Sequence, residues 1–303
     1  MTDLSTEIGG IKLKNPVLVA SGTFGYGKEP SQFIDIRKLG GIITKSITLK
    51  PKEGNPPPRT AETPSGMLNT IGLQNEGVEV FIKTALPFLA EYKVPVIVNI
   101  AGEKIEEYAE LAKRLSKESV VKALEVNISC PNVKKGGLSF GIDPNATAEV
   151  IKAVRKETKL PVIAKLTPNV TDITQIAKAA ERAGADAISL INTVLGMAID
   201  VETWKPKISA GAGGLSGPAI KPIGVRMVYE VSKAVKIPVL GIGGIMSAED
   251  AIEYLLAGAS AIQVGTANFV DPEIPLKIID GLEEYMKENK LPNLKSIIGK
   301  TVV

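Results

Sequence analysis

The 303-residue sequence contains no histidine. That absence removes the side chain most used for acid–base chemistry near neutral pH. Ser-His-Asp machinery is excluded with it. There is one cysteine. A single thiol forms no internal disulfide, so nothing points to an oxidising compartment. Nor can it hold an iron–sulfur cluster alone, since that takes about four thiolates. No metal site is expected: the usual zinc ligands, histidine and clustered cysteine, are missing. Aromatic residues make up only 4% of the chain, too few for a base-stacking surface. The formal net charge is +3, too balanced for nucleic acid or an anionic membrane as main partner. No apolar run reaches the roughly 18 residues that span a bilayer. The opening "MTDLSTEIGG" has neither the basic nor the apolar region of a signal peptide. The expectation is a soluble, cytoplasmic protein. Its hydrophobic content of 44% is enough for a large core.

What is present is a recurring pattern. Eight short apolar segments read as strands: 16–21, 41–46, 94–100, 123–129, 161–166, 186–192, 237–243 and 260–265. Near-continuous apolar runs suit parallel strands buried on both faces. Amphipathic stretches at 104–117, 145–158, 172–184, 219–235 and 247–258 separate them and read as helices. Ser247 is a candidate N-cap and Gly258 a candidate stop for the last of these. Strands alternating with helices over this length predict a (β/α)8 TIM barrel, one domain over 1–303. An open doubly wound sheet is second, because no strand is followed by GxGxxG. Residues 4–14 read as a small hairpin closing the barrel bottom. Segments 47–75 and 193–217 are long connections after the second and sixth strands, hence at the C-terminal face where barrel active sites lie.

Polar residues gather at the strand ends. They are Lys45 and Ser46, Asn99, Asn127 and Cys130, Lys165, and Asn192 with Thr193. Singly, each reads equally well as rim polarity; at equivalent places on several strands they predict a shared pocket. "GIGGIMS" (241–247) and "QVGTANF" (263–269) follow the last two strands. Glycine lets backbone N–H groups approach a phosphate, and a following helix N-terminus favours the charge. That pair of loops predicts a phosphate-bearing ligand. Cys130 leaves its strand into a turn-rich segment with Lys134, Lys135, Gly136, Gly137 and Gly141. A lone cysteine is ordinarily a small buried hydrophobe. Here the lysines favour a thiolate, and a thiol of ordinary pKa near 8.5 can serve as a base.

"NISCPNVKKGGLSFGIDP" (127–144) resembles the catalytic-loop signature of class 1 dihydroorotate dehydrogenases. So do "NTIGLQNEG" (69–77), the stretch 196–222, "GIGGI" (241–245) and "QVGTA" (263–267). The likeness covers essentially the whole chain and is greatest to the NAD-linked type 1B catalytic subunit. The resemblance implies an FMN enzyme that oxidises (S)-dihydroorotate to orotate in pyrimidine biosynthesis. Cys130 would be the base taking the C5 proton, while hydride leaves C6 for the flavin. Class 2 relatives use serine there and carry a membrane-associating N-terminal extension, which this sequence does not match. Lys45, Asn69, Thr70, Ile71, Gly72, Leu73, Asn127, Asn192 and Thr193 match substrate-holding positions. Ser21, Lys45, Ser46, Asn99, Asn127, Lys165, Ile191 and Gly217 match flavin contacts. Gly243, Gly244, Gly265 and Thr266 match the phosphate cradle. The resemblance further implies a partner subunit carrying FAD and a 2Fe–2S cluster, and a homodimer within a heterotetramer.

Two other readings fit the residues. One is a type 1A enzyme passing electrons to fumarate. The other, from a different class, is a phosphate-binding barrel lyase or isomerase in which Lys165 forms a Schiff base; it predicts a colourless protein trapped by borohydride. An inactive module that binds FMN or orotate without turnover is disfavoured by Cys130, Lys45 and Lys165.

Overall fold

The structure, a computed structural model, describes residues 3–129 and 140–302. Its centre is a closed barrel of eight parallel strands in sequence order. They are β1 (Val17–Val19), β2 (Gly41–Ile43), β3 (Val96–Ile100), β4 (Val121–Asn127), β5 (Val162–Lys165), β6 (Ala187–Leu190), β7 (Val239–Ile242) and β8 (Ala261–Val264). β8 pairs with β1 to close the ring. Seven strands lie within segments expected from the sequence, and β4 starts two residues before the expected 123–129. Valine and isoleucine dominate them because branched side chains suit a pleated surface packed on both sides.

The two faces of these strands bury different things. Side chains alternate with a period of two. The outward set includes Val96, Val98, Leu124, Val126, Val162, Ala164, Ile188, Leu190, Ile262 and Val264, and it packs in one core with the helices. The inward set forms a second, smaller core of Leu18, Ile43, Ile97, Ala123, Ile163, Ala187, Leu240 and Ala261. Ile8, Ile11 and Leu13 complete it. They come from the antiparallel pair Thr6–Ile8 and Ile11–Leu13, so the expected N-terminal hairpin is there and its apolar residues plug the barrel floor.

Helices follow most strands: α1 (Gly77–Ala90), α2 (Ile105–Leu115), α3 (Pro144–Glu157), α4 (Ile173–Arg182), α5 (Lys221–Ala234), α6 (Ala248–Leu256), the short α7 (Ala267–Val270) and α8 (Ile274–Glu288). Asp143 and Asp172 cap α3 and α4 by accepting from Ala146 N and Thr174 N. Ser247 caps α6 as the sequence suggests, accepting from Asp250 N. α1 and α8 do not stand out in the sequence pattern; α1 carries Pro87 inside it.

The two long connections are not irregular. They supply Thr60–Thr63, Gly66–Asn69, Val194–Met197 and Ala212–Ser216, which form a four-stranded antiparallel sheet. These strands are short, rich in threonine and glycine, and lack clean apolar alternation. Their pairing joins distant segments, with Asn69 opposite Gly214, and no local pattern reports such a partner.

Leu13 is 1% exposed and fills the barrel floor. Leu13→Ala should lower the unfolding free energy by about 2–5 kcal/mol in urea titrations. A loss below about 1 kcal/mol would contradict the role of the hairpin as a packed plug.

Candidate active site

Two residues above the apolar floor, the inward positions change chemistry. Asn99, Glu125, Lys165, Ser189 and Gln263 stand where the alternation puts side chains inside the barrel, and all are buried. They form one network. Asn99 Nδ2 donates to Glu125 Oε2 at 2.6 Å. Ser189 Oγ and Gln263 Nε2 donate to Glu125 Oε1 at 2.8 and 2.7 Å. Lys165 Nζ lies 3.6 Å from Glu125 Oε2 and donates to Ser21 Oγ at 3.1 Å. Ser46 Oγ donates to Asn99 Oδ1 at 2.6 Å. The structure thus joins four of the expected flavin contacts, Ser21, Ser46, Asn99 and Lys165, through one carboxylate.

Beside this layer the glycine segments converge. A Cβ on Gly244 would come within 2.7 Å of Lys221 Cβ and 2.9 Å of the Gly217 carbonyl oxygen. Gly244 also has φ of +69°, a conformation that L side chains adopt at a cost. The Gly243 position looks onto Ile191. Thr266 Oγ1 donates to Ser216 Oγ at 2.7 Å, bringing the loop after β8 to the residue before Gly217. From below, Tyr254 of α6 donates to the Gly243 carbonyl at 2.7 Å. Burial, with the Asp250 and Glu253 carboxylates, pushes its phenol up, so it stays a donor. A cradle of bare backbone beside a buried ammonium fits a phosphate-bearing flavin. One detail differs from the sequence expectation. The first turn of α6 carries its own anions: Asp250 accepts from Met246 N at 2.8 Å and pairs with Lys221. Its dipole is therefore partly answered internally, which leaves the glycine backbone as the freer set of donors.

Above lies the antiparallel sheet with the segment 69–75. Asn69 Nδ2 donates to the Gly214 carbonyl at 3.3 Å. Gly214 sits so close to Thr193 Oγ1 that no Cβ fits between them. Asn69 and Thr193 are thereby held on one surface. Asn55 Nδ2 donates to Thr70 Oγ1 at 2.7 Å, fixing the next residue. Asn75, buried, donates to the Leu73 carbonyl at 2.7 Å and accepts from Gly77 N at 2.8 Å, which anchors the Gly72–Leu73 turn to α1. Asn192 N donates to the Leu166 carbonyl at 2.9 Å, tying the end of β6 to that of β5. Asn127 Oδ1 accepts from Ser129 N at 3.2 Å. Lys45 is half-buried at the rim after β2. Burial, reinforced by the Arg59 guanidinium, holds its ammonium below the usual lysine range; Glu29 and Glu76 oppose this.

Cys130 and its neighbours Lys134, Lys135, Gly136 and Gly137 lie outside the described residues. Sequence reasoning missed Glu125, Ser189, Gln263 and Arg59. A signal for the first three exists: each interrupts an apolar strand, and Glu125 lies two residues before Asn127 on the same face. For Arg59 there is none, because only the folded 47–75 segment brings it toward Lys45. A separate cavity of about 630 Å³ opens at the opposite mouth, near Leu89, Val94 and Val120. Its lining carries Lys12, Lys93, Lys122 and Ser119 but no carboxylate. No group of three or more His, Cys, Asp or Glu that could hold a metal occurs among the described residues. No helix among them is long and apolar enough to cross a membrane.

The comparisons with known proteins agree with this geometry. The family model described as "Dihydroorotate dehydrogenase" matches residues 3–286. A protein of Geotalea uraniireducens named "Dihydroorotate dehydrogenase B (NAD(+)), catalytic subunit" is 57% identical over 300 residues, 99% of this chain and 98% of its own. Proteins of the same name from Thermoanaerobacter sp. and Bacteroides thetaiotaomicron are 56% and 55% identical, each match covering 99% of both chains.

Gly244→Ala should weaken FMN binding about tenfold or more, read by quenching of flavin fluorescence on the apoprotein. The added methyl enters the cradle, and the left-handed backbone costs about 1–2 kcal/mol. Unchanged affinity would remove Gly244 from the site.

Proposed function

The chain belongs to the dihydroorotate dehydrogenase family, and we propose that it is the FMN-bearing catalytic subunit of an NAD-linked enzyme that oxidises (S)-dihydroorotate to orotate in pyrimidine biosynthesis. The observation that carries this reading is the polar inner layer, with Lys165 at its top strand end, set against the glycine cradle of Gly217, Gly243, Gly244 and the Gly265–Thr266 loop. One barrel over 1–303 would hold the cofactor. FMN, when bound, supplies the acceptor for the hydride that leaves C6 of dihydroorotate.

The chain's own residues would do the rest. The Cys130 thiolate takes the C5 proton, so that the C5–H electron pair becomes part of the new C5=C6 double bond. Asn69, Asn127 and Asn192 offer donors and acceptors to the cyclic imide edge, and Thr193 adds a hydroxyl. The 70–73 segment would help hold the ring. Lys45, its ammonium already strained by burial and by Arg59, gains from a substrate carboxylate. Lys165 would meet the N1–C2=O edge of the flavin and there favour added negative charge. Ser21, Ser46, Asn99 and Ile191 complete the flavin surround.

Electrons must then leave. The sequence has one cysteine and no dinucleotide fingerprint after a strand, which supports a separate subunit bearing FAD and a 2Fe–2S cluster. The relatives' own name, "catalytic subunit", supports a partner of some kind. A homodimer within a heterotetramer, in the cytoplasm, is the assembly we propose. The lyase reading, with Lys165 as Schiff-base amine, is disfavoured by the ion pair that engages this lysine.

Cys130→Ala should keep yellow FMN and bind orotate, yet slow flavin bleaching by dihydroorotate about 10²–10⁴-fold in anaerobic rapid mixing. Unchanged bleaching kinetics would end the role assigned to the thiol. Orotate affinity should also depend on pH from the alkaline side. The lysine attracts the carboxylate only while protonated, and its value lies below 10.5. Affinity should therefore fall as pH rises through that lowered value, and Lys45→Met should bind weakly at all pH with the dependence gone. A dependence that persists in Lys45→Met would assign it to another group.

A further inference from the structure

We propose that Glu125 is a positioning residue of the flavin site, acting from beneath through Lys165 and Asn99. The inference rests on the FMN reading above. Glu125 and Lys165 are the only buried charged residues among the described ones, at 0% and 4% exposure. They face each other on adjacent strands of one barrel. An ion pair in a dry interior is no source of stability by itself; apolar side chains of similar volume are often as good or better. The floor of this barrel, packed with leucine, isoleucine and alanine, shows that apolar filling is available. A carboxylate two residues higher needs another reason.

Its reason lies in what it does to its neighbours. A carboxylate only accepts, so Asn99 must turn its Nδ2 toward Glu125 and its Oδ1 toward the Ser46 hydroxyl. The amide orientation offered to the flavin is therefore dictated by Glu125. Gln263 obeys the same demand. It turns Nε2 to the carboxylate and leaves its buried Oε1 with no hydrogen-bond partner. Leaving an acceptor unpaired costs free energy, which shows how strongly the carboxylate orders the layer. Lys165 stands at ion-pair distance and gives one proton to Ser21. Its charge is balanced without being consumed by a short bond to the carboxylate. The other groups bonded to Glu125 or Lys165, namely Ser21, Asn99, Ser189 and Gln263, are neutral, and Lys45 lies at the rim.

The test is the pH dependence of the two-electron midpoint potential of bound FMN, without substrate, in the wild type and in Glu125→Gln. At pH 6 the variant should be more positive than the wild type, because the Lys165 charge is no longer balanced. Parallel lines of equal potential across the range would overturn the proposal. Should Glu125→Gln fail to fold or to take up FMN, the apoprotein melting temperatures of Lys165→Met and of Glu125→Gln/Lys165→Met decide. Recovery of the melting temperature in the double variant supports the pair; equal melting of single and double overturns it. A wild type that takes up no FMN would overturn the flavin reading itself, and this inference with it.

Discussion

A carboxylate inside a barrel cannot stand without partners, and the upper half of this interior is arranged around that requirement. Glu125 is fully buried, and four side chains from four strands answer it: Asn99, Lys165, Ser189 and Gln263. Each lies two residues above an apolar floor residue, so the strand period alone brings them to one level. Ser46 and Ser21 join from the loops after β2 and β1. The result is a polar ceiling on an apolar plug. Below it the hairpin seals the barrel; above it the glycine cradle and the antiparallel sheet form the walls of the site.

The architecture was legible because its signals are local. Every barrel strand announces itself as an apolar run, and Ser247 caps α6 in the expected place. Lys165 and Asn99 could be named because each is the wrong residue for a buried strand, and the glycines because they cluster just after two strands. Glu125, Ser189 and Gln263 carry the same kind of local signal, but none has a partner near it in sequence. Each is a single polar residue inside an otherwise apolar run, and its meaning appears only when the strands are placed side by side. The sheet built from 60–69 and 194–216 escaped because its hydrogen bonds join segments far apart in sequence. Residue types told of the pocket, while long-range pairing built its roof.

That roof also explains how residues proposed to hold the substrate, though from distant segments, share a surface. Asn69 and Thr193 meet across Gly214, where no side chain fits. Asn75 ties the 72–73 turn to the start of α1. Unpaired and paired charges are separated by depth. Lys45 and Arg59 face the rim, where an anionic substrate would arrive, and the balanced Glu125–Lys165 pair lies beneath.

The most direct measurement is a visible spectrum of the purified protein without oxygen, before and after dihydroorotate is added. The account predicts a flavin band that bleaches on mixing, with orotate formed in equal amount. A protein that shows no flavin band even after incubation with FMN, or a band that persists with dihydroorotate present, would contradict it.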